Sequence, residues 1–426
     1  MKILLLAEVC NPNWPSLPDF SYSLAKYIAK HTEVVLVTHI RNKQDIEQYN
    51  DFSEIVFIDN EYIASPLHKI SNVLQRLGVG GMMTNMALKY PANIVFEYEV
   101  YKKFKARLKN NEFDLIHRIS PVSPTVPSPI ASWSDIPFIY GPLNGALAWP
   151  KQYKEVIKKE REILIHVRGL YKFLPYYKST FVHSVKILAA FKHVEKEIPE
   201  KERHKIVRFN ELGVDTDLYR PADIYEVSSA VQSCQFLFVG RLVPLKCAHV
   251  VIMAFAESKF LRENHKLKIV GDGPERESLE KLIEQFNLYP CVEILGWKNQ
   301  AEVAQYMRES DVFVFPTIRE AGGNVLLEAM SSGLPSIVPN YGGPAELIDD
   351  TVGIKVDLSD KEQFQQDYIK EMELLAEDLK LRNILSINAR EQALKRHDWR
   401  VKGEEIKQIY NSIILDDGLK STQIKG

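Results

Sequence analysis

Two carboxylates, Glu320 and Glu328, stand either side of a glycine pair, Gly322-Gly323, that runs at once into Asn324, Val325 and an apolar stretch. The glycines free the backbone to turn into a helix, Asn324 suits its cap, and Gly333 with Pro335 suits its end. The first amides of such a helix have no partner within it, and together with the helix dipole they attract an anion, phosphate above all. Glu328 lies one turn further in, its side chain leaning back toward the helix start, where it can accept hydrogen bonds from a diol such as ribose. Glu320 precedes the helix and can bond hydroxyls of whatever the phosphate bears. A lone glycine turn would leave the two as an amide cap and a solvated helix face; a pair around one helix tip weakens that alternative.

Cations of the kind a diphosphate needs occur upstream. Phe236–Val239 reads as a strand, and Arg241 and Lys246 sit on the loop after it: the guanidinium forks onto phosphate oxygens and the ammonium supplies a point charge. As surface salt-bridge partners they would be unremarkable. Leu267–Pro274 is another strand running into a turn at Gly271, and it lacks the third glycine of a dinucleotide fingerprint. Gly296-Trp297-Lys298-Asn299 follows a further strand; Asn299 with Glu302 makes a capping box, and Trp297 either flanks a nucleotide base or packs in the core. In the first half, His117 ends the strand-like Phe113–Ser120, Asn144 and Gly145 lie where Phe138–Leu143 meets a glycine turn, and Asn13 lies in the glycine-free loop Asn11–Pro18.

These groups need a parallel sheet to hold them. Asp311–Phe315 is a short apolar run stopped by Pro316, a buried parallel strand whose C-terminal end delivers the carboxylates to the edge where α/β sheets bind ligands. At the start of the chain a strand from Lys2 to Glu8, a helix from about Asp19 to His31 and a strand from Glu33 to Thr38 give the strand–helix–strand rhythm of right-handed crossovers. Thr180–Ser184 reads as a strand closing the first domain. Ile63–Met86, with Leu77-Gly78-Val79-Gly80-Gly81-Met82-Met83 at its centre, reads as a loop or flexible helical hairpin, either an adaptable lipid surface or a core insertion. Lys151–Lys178 sets eight cations against three glutamates among interleaved apolar residues, the pattern of an interfacial helix as well as of a solvated one.

With 426 residues the chain suggests two domains. Its 45% hydrophobic and 26% charged content is that of a soluble globular protein. Four scattered cysteines suit a reducing cytoplasm, no run approaches the ~20 residues of a membrane span, and Met1–Cys10 is too short and too soon polar for a signal peptide. The net charge of −2 hides an asymmetry: residues 1–220 carry 30 Lys+Arg and 24 Asp+Glu, so the first part is +6 and the remainder −8. That balance favours contact of the N-terminal part with an anionic membrane, at the inner face of the plasma membrane, and with no aromatic–basic pattern it argues against nucleic acid.

Glu320 and Glu328 with seven residues between, Leu-Glu-Ala-Met-Ser-Ser-Gly-Leu-Pro after, and Pro339–Ile348 beyond resemble the signature of retaining glycosyltransferases of family 4. The resemblance extends over the second half of the chain. It implies a GT-B fold, α/β, with two Rossmann-like doubly wound parallel-sheet domains facing across a cleft: residues 1–211 for the acceptor, 212–398 for the nucleotide sugar, and a last helix, about 399–415, packing back on the first. It implies that Glu320 meets the donor sugar, that Glu328 holds the ribose, that Arg241, Lys246 and the amides of Gly322, Gly323, Asn324 and Val325 hold the diphosphate with no metal required, and that Gly271 and Trp297 border the donor. His117 would meet sugar and acceptor, although in many members the histidine stands two residues on, where this chain has Ile119; Asn144, Gly145 and Asn13 would line the acceptor side. Two departures stand out: Ala321-Gly322-Gly323 replaces the common Gly-Phe-Gly, and Cys247 replaces the glycine after the lysine. The implied reaction moves a sugar from a nucleotide donor to a glycan or lipid-linked acceptor, as in cell-envelope polysaccharide or glycolipid synthesis. A GT-B phosphorylase and a non-catalytic nucleotide-sugar sensor are the alternatives.

Overall fold

The computed structural model describes residues 1–14, 16–76, 82–145, 147–153, 170–222 and 233–423. It divides into two compact units, one of Met1–Ala146, Glu160–Glu211 and Trp399–Gly426, the other of Leu147–Lys159 and Leu212–Asp398.

The first unit is built on seven parallel strands, β1 (Lys2–Ala7), β2 (Glu33–His39), β3 (Glu54–Ile58), β4 (Leu115–Ser120), β5 (Phe138–Leu143), β6 (Ser184–Ala189) and β7 (Ile206–Arg208), in the order β3-β2-β1-β4-β5-β6-β7. The order reverses beside β1, the switch point of a doubly wound sheet. Alternation along β1 feeds two cores. Leu4 and Leu6 meet Phe96, Val100 and Phe104 of the Met82–Lys109 helix; Ile3 and Leu5 meet Phe20 and Ile28 of the Leu17–Ala29 helix. The Trp399–Gln423 helix completes the second core with Trp399, Ile406, Tyr410 and Ile413. Gly403 lets it approach: a Cβ there would come within 2.7 Å of the Tyr27 carbonyl oxygen.

The second unit has six parallel strands, β8 (Gln235–Val239), β9 (Lys266–Val270), β10 (Val292–Gly296), β11 (Val312–Val314), β12 (Ser336–Pro339) and β13 (Gly353–Val356), in the order β10-β9-β8-β11-β12-β13. Here the order reverses beside β8, between the β8 and β11 loops.

Two expectations change. The segment read as a strand at Thr180–Ser184 is mostly helix, Tyr177–His183, and β6 begins at Ser184. Tyr177 and Phe181, four residues apart, both enter the core, and Thr180 Oγ1 donates to the Tyr176 carbonyl at 2.8 Å, so tertiary packing overrides the β-branched composition. The Ile63–Met86 stretch is helical where described, with Glu61–Arg76 on one side and the Met82–Lys109 helix on the other. Leu77–Gly81 and residues 154–169 of the basic segment lie outside the described residues. Among the described residues no helix is long and apolar enough to cross a membrane.

Glu97, buried on the Met82–Lys109 helix, accepts from Ser128 Oγ at 2.7 and 2.8 Å and from the Ile130 amide at 3.1 Å. Desolvation pushes its carboxyl up from 4.5 to about 7. A folded-state value above the unfolded one means that its contribution is fully present below about pH 4.5 and is lost as pH rises through about 7. Glu97→Gln, which mimics the protonated acid, should therefore remove Glu97's share of the stability loss over that window, on the order of 3 kcal/mol, in urea melts across pH.

Candidate functional site

In the second unit the chain leaves β11 through buried Phe315 and Thr317 and reaches Arg319 and Glu320 at the sheet's C-terminal edge. The Ile318 amide and Thr317 Oγ1 both donate to the Leu245 carbonyl, at 3.0 and 3.2 Å, and so tie this segment to the turn that bears Lys246. Lys246 Nζ donates to Glu320 Oε2 and lies 4.6 Å over the Phe315 ring. The pair is only partly solvated, with side-chain exposures of 13% and 23%, so it is screened less than a surface ion pair.

Gly323, at φ +125°, is the N-cap of the Asn324–Ser331 helix. This corrects the expectation that Asn324 caps it: the left-handed backbone that glycine permits turns the chain one residue earlier, and Asn324 becomes the first helical residue. A second glycine pair supports the turn from beneath. The Gly343 amide donates to the Glu320 carbonyl at 2.9 Å, and Cβ atoms at Gly342 and Gly343 would come within 2.5 Å of the Glu320 oxygen and 2.3 Å of the Gly322 oxygen. Glu328 is half-buried on the helix that Gly323 opens.

The loop between Gly240 and Cys247 reaches both ways. Toward β9, the Gly240 amide bonds the Val270 carbonyl at 3.0 Å, and Gly271, at φ +147°, lies so close that a Cβ would stand 1.9 Å from the Gly240 oxygen. The Leu242 amide bonds the Asp272 carbonyl at 2.9 Å, and the Gly271 amide bonds Gly296 beside Trp297, also at 2.9 Å. Arg241 is exposed on this loop. Trp297 is 74% exposed, which sets aside its packing in the core, and the Asn299–Glu302 capping box forms as the sequence indicates. Cys247 adopts the left-handed conformation, φ +51°, that glycine would take without strain. Arg319 was missed in the sequence: its guanidinium donates to the Leu147 carbonyl at 3.0 and 3.2 Å and lies 4.6 Å over Trp149, while Tyr341 Oη donates to the Ala148 carbonyl at 2.8 Å. Only the adjacency of Arg319 to Glu320 could have drawn attention to it.

The candidates in the first unit are held differently. His117 is fully buried; the Gly141 carbonyl accepts from Nε2 at 2.6 Å, so Nδ1 accepts from Tyr410 Oη, also at 2.6 Å. Burial lowers the imidazole to about 4, so the ring is neutral. With both nitrogens engaged it joins β4, β5 and the Trp399–Gln423 helix, in place of the substrate contact expected of it. Asn144 Nδ2 donates to buried Glu211 at 2.5 Å and its Oδ1 accepts from the Gly145 amide at 2.5 Å, so this carboxamide shapes the loop. Gly145 keeps open space where a side chain would stand. Asn13 is exposed and bonds Asp45 at 2.8 Å.

Residues 224–392 match the family model described as glycosyl transferases group 1. The match takes in Arg241, Lys246, Gly271, Trp297, Glu320 and Glu328. The chain is 30% identical over 218 residues to a UDP-Gal:alpha-D-GlcNAc-diphosphoundecaprenol alpha-1,3-galactosyltransferase of Escherichia coli, an alignment spanning 48% of this chain and 54% of that protein. It is 23% identical to an uncharacterized glycosyltransferase of Methanocaldococcus jannaschii over 93% of this chain and 97% of that one. In structure it resembles Anabaena HepE, crystallised with UDP and glucose, at a TM-score of 0.60 with 18% identity, covering 97% of this chain and 100% of that chain. The likeness shows the fold, the two Rossmann-like parallel sheets of GT-B proteins.

Gly271→Ala would drive a Cβ into the Gly240 carbonyl at a backbone angle that alanine rarely adopts. It should cost more than about 4 kcal/mol, read as a collapse of the thermal midpoint or of soluble yield, whereas Gly145→Ala, strained only in φ, should cost no more than about 1–2 kcal/mol.

Proposed function

We propose that this protein is a glycosyltransferase that moves a sugar from a nucleoside-diphosphate donor to a glycan or lipid-linked acceptor, with retention at the anomeric carbon, in the synthesis of an envelope polysaccharide or glycolipid. The observation that carries the reading is the Lys246–Glu320 pair at the mouth of the Gly323-capped helix, within the segment that matches the group 1 family model.

The costly event in such a transfer is departure of the nucleoside diphosphate. Arg241, Lys246 and the amides of Gly323, Asn324 and Val325 would stabilise the charge that develops on its phosphates, and Glu328 would hold the ribose. Glu320 balances Lys246. When a donor arrives, Lys246 would share its protons with the phosphate and Glu320 would turn its remaining lone pairs to the sugar hydroxyls. With two cations and a helix tip aimed at the leaving group, the reading assigns no metal. The leaving phosphate can itself assist attack from the same face, so no enzymic nucleophile is needed. The first unit would receive the acceptor, with Gly145 and Asn13 at its surface and His117 serving the fold. The lipid-linked acceptor named for the Escherichia coli relative and the +6 charge of residues 1–220 support a lipid-borne acceptor at the cytoplasmic face of an anionic membrane.

Release of nucleoside diphosphate from a panel of UDP-, GDP- and ADP-sugars tests the reading. One donor should support release, and Arg241→Ala and Glu328→Ala should each lower kcat/KM for it by about tenfold or more, the worth of one charged hydrogen bond. Release should persist in excess EDTA; its abolition there would remove the metal-free part of the mechanism. Tight nucleotide binding without release, whichever glycolipid or polysaccharide is supplied, would replace the transferase with a nucleotide-sugar sensor.

A further inference from the structure

Leu147–Lys159 belongs to the second unit although the chain before and after it belongs to the first. Ordering such an excursion costs conformational entropy, which contacts at its landing place must offset. Several of those contacts fall on the turn that carries Glu320. Leu147 is buried, with Cδ2 only 2.7 Å from where a Cβ on Gly342 would stand, and the Glu320 carbonyl oxygen lies 2.5 Å from the same point. Arg319 straddles the Leu147 carbonyl, donating through Nε at 3.2 Å and Nη2 at 3.0 Å, and its guanidinium lies 4.6 Å over the Trp149 ring. Tyr341 Oη donates to the next carbonyl along, that of Ala148, at 2.8 Å. Further on, Gln152 Nε2 donates to the Leu358 carbonyl at 3.3 Å, and buried Tyr153 meets the Phe364 ring edge-on.

These bonds close a ring that passes through the main chain of Glu320. From Glu320 it runs back one residue to Arg319, crosses to the carbonyls of Leu147 and Ala148, and crosses again to Tyr341. It then follows the chain through Gly342 to Gly343 and returns where the Gly343 amide donates to the Glu320 carbonyl at 2.9 Å. Each link is a covalent neighbour or a hydrogen bond. The Glu320 side chain leaves the ring for Lys246, on the loop after β8. Neighbouring side chains are thus held by separate elements, Glu320 by that loop and Arg319 by the excursion from the first unit. An ion pair alone would let Glu320 follow Lys246; the ring fixes the main chain from which its carboxylate reaches.

We propose that Arg319 and Tyr341 are positioning residues that clamp the Leu147 and Ala148 carbonyls and thereby hold Glu320 where its carboxylate meets the donor sugar. The role of Glu320 itself rests on the transferase reading above. Arg319 and Tyr341 act through Glu320 and need not touch the donor. What the clamp requires of residue 319 is a planar fork, with two N–H groups around one oxygen and a flat face on an aromatic ring; the single ammonium of lysine keeps the charge and supplies neither. A displacement of about 1 Å at a reacting group can cost about a hundredfold in rate, so a small slackening of the ring is readable in turnover.

Release of nucleoside diphosphate from the panel of UDP-, GDP- and ADP-sugars, with calorimetry of the bare nucleotide, tests this on the full chain. Arg319→Lys and Tyr341→Phe should each lower kcat/KM for the intact donor by about tenfold or more, with bare-nucleotide affinity and melting temperature near those of wild type. Because both act through Glu320, the same changes made in Glu320→Gln should cost less than about twofold further. Losses that recur in full in that background overturn the proposal, as do wild-type rates in both variants or a matching loss of bare-nucleotide affinity. If one variant proves unstable, the other carries the cycle with Glu320→Gln. If no donor is turned over, the transferase reading falls, and the tighter binding of a nucleotide sugar than of its bare nucleotide becomes the readout. Loss of that advantage in both variants and in Glu320→Gln upholds the positioning role; its persistence in the variants, or its absence from wild type, overturns that role too.

Discussion

Backbone meets backbone, with no side chain between, at the edge of the second sheet. Gly271 lies against the Gly240 carbonyl, and Gly342-Gly343 lies against Glu320 and Gly322. Everything proposed for the donor depends on these contacts. They fix the loops after β9, β8 and β11 relative to one another, and the side chains on those loops inherit the arrangement. Catalytic positioning tolerates errors of only a fraction of an ångström, and main chain packed on main chain is the stiffest way to keep within that tolerance.

The Lys246–Glu320 pair is the electrostatic counterpart of that stiffness. Two charges of opposite sign, partly withdrawn from water, hold each other in place. Each keeps hydrogen-bonding capacity to spare, because an ammonium has three protons and a carboxylate four lone-pair sites. A phosphate and a sugar can therefore be added to the pair without first breaking it, which avoids leaving either ion buried alone.

How much of this could be read from sequence follows the range of the forces involved. The strand–helix rhythm is local, and it gave β1, β2, β4, β5, β8, β9, β10 and β11 with nearly correct limits, whereas β3, β7, β12 and β13 went unread and β6 was misplaced. The helix at Asn324 was legible for the same reason, down to an error of one residue in its cap. Interactions between distant positions were not legible. His117 looked like a residue at a sheet edge, yet its partner Tyr410 is 293 positions away and draws the ring into the core. Asn144 is captured by Glu211, and Lys246 by Glu320 at a separation of 74. Thr180 misled because its β-branched neighbourhood favours a strand, while Tyr177 and Phe181 had a core to fill.

The Trp399–Gln423 helix belongs to the first unit although the whole of the second precedes it in the chain. Synthesis runs from the N-terminus, so the second unit has all its strands and is complete at Asp398 while the first still lacks Trp399, Ile406, Tyr410 and Ile413. Until those residues emerge from the ribosome, Ile3, Leu5, Phe20 and Ile28 have an uncovered apolar face, and His117 has no hydroxyl for Nδ1. The unit made first is thus finished last, and the nascent chain must keep a complete but partly uncovered sheet from sticking to its neighbours for as long as it takes to translate about half of the protein.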